Sequence, residues 1–271
     1  MPSTDSDGVR IDYAVDGPPD APAVLLLEGL GYGRWMWDWL TGDLTPDFRV
    51  IRPDNRGTGD SEAPAGPYTI GEMAADAAAV LDDCGFDRGD RVHVVGASMG
   101  GMIAQRLARD DERVATLTLL CTTPGGEEAV PTPEDVLDHI FSVPEGADER
   151  ETIRHRMKPA VSDDFYDREP GLVADIVDAR LAGDAGPEGR EAQAAAVGAF
   201  DASAWVGELT QPALVMHGTA DRVLPFENGE LLAEALPDAT FETVEGGPHL
   251  FFIEERERVN DRVREFLEGH V

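Results

Sequence analysis

The chain has 271 residues, of which 54 are Asp or Glu and 22 are Lys or Arg, so its formal net charge is −32. Such a charge repels nucleic-acid phosphates and anionic lipids, and we therefore expect neither nucleic acid nor a membrane as a partner. A chain of this length can bury a large core without disulfides or structural metals. The two cysteines, Cys84 and Cys121, are expected to be small buried side chains.

The N-terminal segment carries no signal for secretion. Its first twelve residues are polar and acidic, and they lack the basic and apolar regions of a signal peptide. No apolar run approaches the roughly 18 residues that a membrane-spanning helix needs. A cytoplasmic location is therefore expected.

Short β-branched runs alternate with helical stretches, which is typical of an α/β protein with a mostly parallel sheet and helices on both faces. The run at 9–15 alternates and is expected to form an antiparallel strand, whereas 23–28 is continuously apolar, as in a central strand buried on both faces. Further strands are predicted at 48–54, 91–97, 114–121, 212–218 and 239–245. Apolar residues at helical spacing predict helices at 34–44, 70–83, 98–110, 228–235 and 256–268.

One segment, residues 124–209, interrupts this alternation because it contains no strand-like run. Helical pieces there are separated by Pro and Gly, and the segment is too long for a simple crossover. It is interpreted as a helical lid inserted into an α/β core that comprises 1–123 and 210–271. A lid over the carboxyl edge of the sheet would cover the place where ligands bind in such folds.

A candidate nucleophile stands between a predicted strand and a predicted helix. The sequence Gly96-Ala97-Ser98-Met99-Gly100 matches G-x-S-x-G in the strand–turn–helix context that this motif requires. Small residues on both sides let the backbone turn tightly and leave the serine hydroxyl exposed. The following helix directs its N-terminus at the site, which favours a developing anion.

Serine needs a general base, and the base needs an acid to orient it. His249 lies in a Gly/Pro loop after the last strand and is the candidate base, and Asp221, which follows the strand 212–218, is the candidate acid. The order Ser98, Asp221, His249 is that of α/β-hydrolases. Of the other histidines, His93 is assigned to a strand and His139 and His155 to the lid. His270 lies at the C-terminus, and His217 is expected to brace a turn.

These motifs resemble the α/β-hydrolase superfamily over nearly the whole chain except the lid. "LLLEGLG", "RPDNRGTGDS", "VHVVGASMGGMIAQRLA", "PALVMHGTADRVLP" and "EGGPHLFFIE" are similar to the esterase and enol-lactonase branch, which also includes cofactor-free haloperoxidases. The resemblance implies that the backbone N–H groups of Leu30 and Met99 form the oxyanion hole. It also argues against haloalkane dehalogenases and epoxide hydrolases of this fold, which have an aspartate where Ser98 stands.

Glu28 departs from the family pattern, because the family usually has a histidine before the glycine at position 29. A bare carboxylate beside an oxyanion would oppose catalysis. Glu28 is therefore expected to point away, to pair with Arg56 or Arg34, or to be protonated. The nearby residues 54–56 are expected to tie their loop to neighbouring loops and not to take part in the chemistry.

The sequence thus predicts a serine hydrolase that cleaves a small or medium carboxylic ester or lactone through an acyl-enzyme. No cofactor and no metal is expected. Alternatives with the same triad are a perhydrolase-type haloperoxidase and a carbon–carbon bond hydrolase, and a further alternative is a non-catalytic ligand-binding member of the fold. Lys158 is the only lysine, and with the acidic composition this resembles proteins of salt-loving microbes. The alternative is an acidic mesophilic enzyme from a GC-rich genome, which would also favour Arg over Lys.

Overall fold

A computed structural model describes all 271 residues. It contains one sheet of eight strands in the spatial order β1-β2-β4-β3-β5-β6-β7-β8. The strands are β1 (Ser3–Ser6), β2 (Val9–Asp16), β3 (Ala23–Leu27), β4 (Arg49–Pro53), β5 (Val92–Ala97), β6 (Val114–Leu120), β7 (Ala213–Gly218) and β8 (Ala239–Val244). Pairing is antiparallel from β1 to β2 and from β2 to β4 and parallel in the rest of the sheet. The predicted fold class is thereby confirmed.

Eleven α-helices accompany the sheet. They are α1 (Asp38–Leu44), α2 (Ile70–Asp83), α3 (Met99–Asp110), α4 (Glu134–Phe141), α5 (Glu149–Met157), α6 (Phe165–Arg168), α7 (Pro170–Gly183), α8 (Pro187–Gly198), α9 (Glu227–Ala235), α10 (Phe251–Glu254) and α11 (Arg256–Glu268). Thr69 and Glu72 begin α2 with a capping box, in which each side chain accepts a hydrogen bond from the other residue's backbone N–H.

The core lies on both faces of the sheet, because the parallel strands are buried on both sides. One cluster of 34 buried residues joins one face to α2, α3 and α9, and another of 30 joins the opposite face to α1, α10 and α11. The central strands β3, β5, β6 and β7 are buried along their whole length, as the continuous apolar run at 23–28 predicts for β3.

Three local details differ from the sequence-based expectation. The sequence does not predict β1, because its polar residues pair only at the sheet edge and carry no apolar alternation. The predicted helix 34–44 is divided into a 3₁₀ turn, Arg34–Trp37, and α1. The short helix α10 precedes α11 and is not predicted separately.

Between β6 and β7 the chain forms α4 to α8 and no strand. An isolated antiparallel bridge between Gly125 and Asp201 joins the beginning of this segment to its end. The segment therefore leaves the sheet and returns to it at neighbouring points. None of the helices in the molecule combines the length and apolar character required to cross a bilayer.

Candidate active site

Four loops that carry the predicted site residues follow parallel strands of the sheet. Leu30 follows β3, Ser98 follows β5, Asp221 follows β7 and His249 follows β8. Because the carboxyl ends of parallel strands lie at one edge, these loops gather at the same side of the molecule. Leu30, Ser98 and His249 indeed line a single cavity.

Ser98 occupies a sharp turn between β5 and α3, with φ of 54° and ψ of −119°. It therefore precedes α3 and does not begin it, in contrast to the predicted helix 98–110. A left-handed backbone of this kind is costly for a side chain other than glycine and is held only where the surroundings fix it. At Gly100 an added Cβ would lie 1.9 Å from the carbonyl oxygen of Leu27, so only glycine lets the turn approach β3 this closely.

His249 and Asp221 form a buried hydrogen-bonded pair, with His249 Nδ1 2.7 Å from Asp221 Oδ2. The carboxylate can only accept, so Nδ1 carries the proton and Nε2 is left as the basic nitrogen. The second oxygen, Oδ1, accepts the backbone N–H groups of Val223 and Leu224 at 2.8 and 2.9 Å. Asp221 thus fixes both the tautomer and the orientation of the imidazole.

The charge of Asp221 is maintained although the residue is buried. Burial opposes ionisation, but the charge of His249 and hydrogen bonds from His217 and His249 lower the pKa of Asp221 to about 2. His217 is the turn brace that the sequence suggested: its Nε2 lies 2.8 Å from the Leu224 carbonyl oxygen and 3.2 Å from Asp221 Oδ2. Since a carbonyl oxygen accepts only, His217 donates from Nε2.

The two backbone N–H groups predicted for the oxyanion hole are free. Neither Leu30 nor Met99 donates its N–H to another backbone carbonyl, and Met99 is the first residue of α3, where the N–H has no intrahelical acceptor. Gly29, which precedes Leu30, lies against Ser98: a Cβ on Gly29 would be 3.5 Å from Cβ of Ser98. The free N–H of Met99 therefore follows Ser98 directly in the chain, and that of Leu30 follows the residue that contacts Ser98.

Gln193 supports two loops near the site, a role that the sequence did not reveal. It lies in α8, is fully buried, and its Oε1 accepts the N–H of Gly31 at 2.7 Å. Its Nε2 donates to the carbonyl of Arg56 at 2.9 Å and to Thr58 Oγ1 at 2.8 Å. One side chain therefore ties the loop after β3 to the loop after β4. A lone Gln in an alanine-rich helix gives no sequence signal for such a role.

Glu28 is fully buried and turns toward the loop after β4. Its Oε1 accepts the backbone N–H of Asn55 at 2.6 Å, and its Oε2 has no hydrogen-bond partner. Burial and the charge of Asp54 raise the pKa of Glu28 well above its usual range, which favours the protonated form. Of the three expected solutions, the raised pKa favours protonation, and the side chain is paired with a backbone N–H and not with an arginine.

Neither arginine considered as a partner of Glu28 bonds to it. Arg56 makes two hydrogen bonds to Asp76 in α2, at 2.6 and 2.7 Å. The terminal guanidinium nitrogens of Arg34 lie 3.4 Å from Asp54 Oδ2 and 3.1 Å from Asp60 Oδ2. Residues 54–56 thus tie their loop to its neighbours, as the sequence analysis expected.

The cavity above Ser98 has a volume of about 380 Å³, within the range of sites for small organic ligands. Fifteen of its 23 lining residues are hydrophobic. The walls come from the strand-end loops and from the helical segment between β6 and β7, which contributes Leu137, Ile140 and Phe141 among others. No group of three or more His, Cys, Asp or Glu side chains could hold a metal ion.

Comparison with known proteins identifies the family. A family model described as the alpha/beta hydrolase fold matches residues 22–256, and the chain therefore belongs to this family. A protein assigned as a carbamate hydrolase, RutD, from Variovorax paradoxus (strain S110) is 32% identical over 266 residues, which cover 95% of this chain and 96% of that protein. The chain is thus a hydrolase of the α/β fold.

Two solved structures extend the likeness to the whole fold. The enol-lactonase from Burkholderia xenovorans LB400 is 29% identical, with a TM-score of 0.85 over 98% of this chain and 100% of that one. A thermophilic esterase from Thermogutta terrifontis is 29% identical, with a TM-score of 0.81 over 99% of this chain and 97% of that one. The similar proteins therefore include enzymes named for two kinds of acyl substrate.

Proposed function

We propose that this protein is a serine hydrolase that cleaves small or medium carboxylic esters or lactones through an acyl-enzyme. The observation that carries the proposal is the 2.7 Å pair of His249 and Asp221 beside the same cavity that exposes Ser98. The free N–H groups of Leu30 and Met99 and the likeness to an esterase and an enol-lactonase support it further.

In the first half of the reaction, Ser98 Oγ attacks the acyl carbon and its proton passes to Nε2 of His249. The oxyanion that forms accepts hydrogen bonds from Leu30 and Met99, each worth a few kcal/mol in the transition state. Asp221 stabilises the imidazolium without taking up its proton. His249 then protonates the departing alkoxide, and the acyl group remains on Ser98.

In the second half, His249 accepts a proton from water, which attacks the acyl-enzyme at the same carbon. The second oxyanion uses the same two N–H groups, and its collapse breaks the bond to Ser98 Oγ and releases the carboxylic acid. The proton held by His249 passes to Ser98 Oγ and restores the hydroxyl. None of these steps needs a metal or an organic cofactor.

We propose in addition that residues 124–209, between the two parts of the core at 1–123 and 210–271, act as a lid. Exposed large apolar side chains concentrate on one part of this segment: Val130, Leu137, Phe141 and Val143. Two of them, Leu137 and Phe141, also line the cavity. An apolar edge of this kind at the entrance suits a segment that opens toward apolar parts of a substrate.

The test is a panel of nitrophenyl esters of increasing acyl length together with several lactones, with Ser98→Ala as the blank. We expect turnover by the native protein and a loss of about 10⁶-fold in kcat for Ser98→Ala or His249→Ala. A fluorophosphonate probe should label Ser98 alone. Unchanged turnover in Ser98→Ala would overturn the mechanism.

Hydrolysis of a carbamate is a second candidate, favoured by the 32% identity to the protein assigned as a carbamate hydrolase. The same serine would attack the carbamate carbonyl, so an aryl carbamate belongs in the panel. A kcat/KM above that of every ester would make carbamate cleavage the main activity. Peroxide-dependent halogenation in acetate buffer would instead indicate a perhydrolase, and tight binding without any turnover would indicate a ligand-binding protein.

A further inference from the structure

The cavity above Ser98 has a charge opposite to that of the rest of the molecule. Three arginines line it, Arg156, Arg180 and Arg190, whereas no Asp or Glu does. The chain as a whole has 54 acidic and only 22 basic residues. Three of the 22 basic residues therefore lie in one apolar cavity, where a charged side chain is costly unless it is paired.

The protein supplies one carboxylate for these three guanidinium groups. Asp184 Oδ2 lies 2.7 Å from Nε of Arg180 and 3.7 Å from a terminal nitrogen of Arg190. Its Oδ1 already accepts a hydrogen bond from Nε1 of Trp35 at 3.0 Å. Arg156 has no carboxylate within ion-pair distance and makes one side-chain hydrogen bond, to the Ser142 carbonyl at 3.2 Å.

Arg180 is held by the protein itself. Its guanidinium lies 4.3 Å from the centre of the Tyr32 ring, and one terminal nitrogen donates to the Tyr32 hydroxyl at 3.2 Å. Together with Asp184 these contacts fix the side chain against the loop after β3. Arg180 therefore adds positive charge to the cavity, but two of its hydrogen-bond donors are already engaged by Asp184 and Tyr32.

Arg190 is different, because its guanidinium has no hydrogen bond to the protein beyond the long contact with Asp184. Its side chain is only 17% exposed and lies over Gly31, so closely that a Cβ there would be 3.0 Å from the guanidinium carbon. Burial and the charge of Arg180 lower the pKa of Arg190. Its five N–H donors make no hydrogen bond within the protein but keep some contact with solvent, so they are available to an anionic ligand in the cavity.

We infer that the substrate carries a carboxylate in addition to the acyl group that is cleaved, and that Arg190 and Arg156 bind this carboxylate. The inference rests on the proposed hydrolase function and names its substrate class. Arg190 lies beside Gly31, the residue after Leu30, so the second carboxylate would sit a few bonds from the scissile carbonyl. The apolar walls would contact the carbon chain between the two groups, and a planar guanidinium matches a carboxylate with two parallel hydrogen bonds.

The test compares mono-4-nitrophenyl adipate with its methyl diester, which has the same chain but a masked carboxylate. Both are assayed in molar KCl, so that the surface charge of the protein does not repel the anion. We expect the kcat/KM of the mono-ester to exceed that of the diester. The ratio of kcat/KM for the mono-ester to kcat/KM for the diester should fall in Arg190→Gln and in Arg156→Gln. For Arg190→Gln the fall should be about 10- to 100-fold, as expected for the loss of a charged hydrogen-bond pair.

Two further variants separate recognition from folding. Arg190→Lys keeps the charge and should restore part of the ratio. Arg109→Gln removes an exposed arginine that lies over Trp205, outside the cavity, and should leave the ratio as in the native protein. A ratio that is unaffected by Arg190→Gln, or a native preference for the diester, would overturn the inference while the hydrolase function stands.

A binding experiment tests the same point without turnover. Adipate should bind to Ser98→Ala in calorimetry, adipamide should not, and the added substitution Arg190→Gln should weaken adipate binding by about tenfold or more. Equal binding of adipate with and without Arg190 would contradict the inference. If no ester is cleaved but adipate binds through Arg190, the hydrolase proposal fails and the anion site remains.

Discussion

Glu28 shows at the scale of one residue how a carboxyl group can replace the usual histidine beside an oxyanion hole. Its raised pKa favours the neutral acid, and its Oε1 accepts the backbone N–H of Asn55. A neutral carboxyl adds no negative charge next to the N–H of Leu30, which removes the electrostatic objection to this residue.

We therefore expect Glu28→Gln to preserve the protein, because an amide has the shape of a neutral carboxyl and can accept the same N–H. Stability should change by no more than about 1 kcal/mol, and kcat/KM by a few-fold. Glu28→Ala is the matched comparison: it leaves a cavity and an unpaired N–H and should cost about 2–4 kcal/mol. Denaturant unfolding and ester kinetics measure both, and loss of activity in a folded Glu28→Gln protein would indicate a chemical role.

His93 makes stability depend on pH. It lies in the buried strand β5 with Nδ1 2.8 Å from Thr116 Oγ1, and burial lowers its pKa to about 4, with smaller effects of His270 and Arg91. Between pH 6.5 and 4 the unfolded chain binds a proton at this site and the folded protein does not. The free energy of unfolding therefore falls as pH falls through this window, by up to about 3 kcal/mol.

The measurement is urea unfolding at pH 7 and pH 4.5 in molar KCl, for the native protein and for His93→Asn. Most other titrating groups contribute equally to both, so the difference between the two pH dependences isolates His93. The native protein should lose more stability on acidification than the variant. Parallel pH dependences would show that His93 is not held neutral by the fold.

At the scale of elements, the loop after β4 is fastened to α2 by a buried ion pair. Arg56 and Asp76 are both nearly inaccessible to solvent, and two hydrogen bonds at 2.6 and 2.7 Å join them. The half-exposed Glu72 also contacts this guanidinium, with its Oε1 3.3 Å from Nη1 of Arg56. Because Gln193 bonds to the carbonyl of Arg56, this pair also supports the loop that carries Leu30.

Asp76→Asn should destabilise the protein by about 3 kcal/mol, because it leaves the buried guanidinium without its main counter-charge. The exposed pair of Arg106 and Asp110 is the internal control, and Asp110→Asn should cost no more than about 0.5 kcal/mol. The double variant Arg56→Met with Asp76→Ala should recover part of the loss, since no charge is then buried. Equal effects of Asp76→Asn and Asp110→Asn would mean that burial does not strengthen the pair.

At the scale of the whole molecule, a net charge of −32 produces self-repulsion that disfavours the compact state at low ionic strength. We propose that the protein is halophilic, and we expect its thermal midpoint and its activity to rise with KCl up to molar concentrations, where the screening length is about 3 Å. Thermal unfolding at fixed pH across this range is the measurement. A midpoint that stays constant or falls would contradict halophilic behaviour without affecting the site.

Much of the fold and of the candidate site follows from local sequence. The elbow around Ser98 is encoded by Gly96 and Gly100 within a few residues of the serine, and strand–turn–helix order depends only on neighbours in the chain. Parallel strands then bring their carboxyl ends to one edge, so loops far apart in sequence meet there without further information. For this reason the amino-acid sequence alone suffices to propose Ser98, Asp221 and His249, together with the order of most strands and helices.

Only the tertiary structure decided which side chains from the helical segment reach the site. Gln193 bonds to Gly31 across 162 positions of the chain, and Arg180 and Arg190 share Asp184 against the loop that carries Leu30. It also decided that Glu28 lacks a basic partner, because Arg56 and Arg34 find other carboxylates. These contacts depend on how helices pack over the sheet edge, and no local periodicity or motif records that packing. The family and the candidate site residues could therefore be predicted from the sequence, while the charge and shape of the cavity could not.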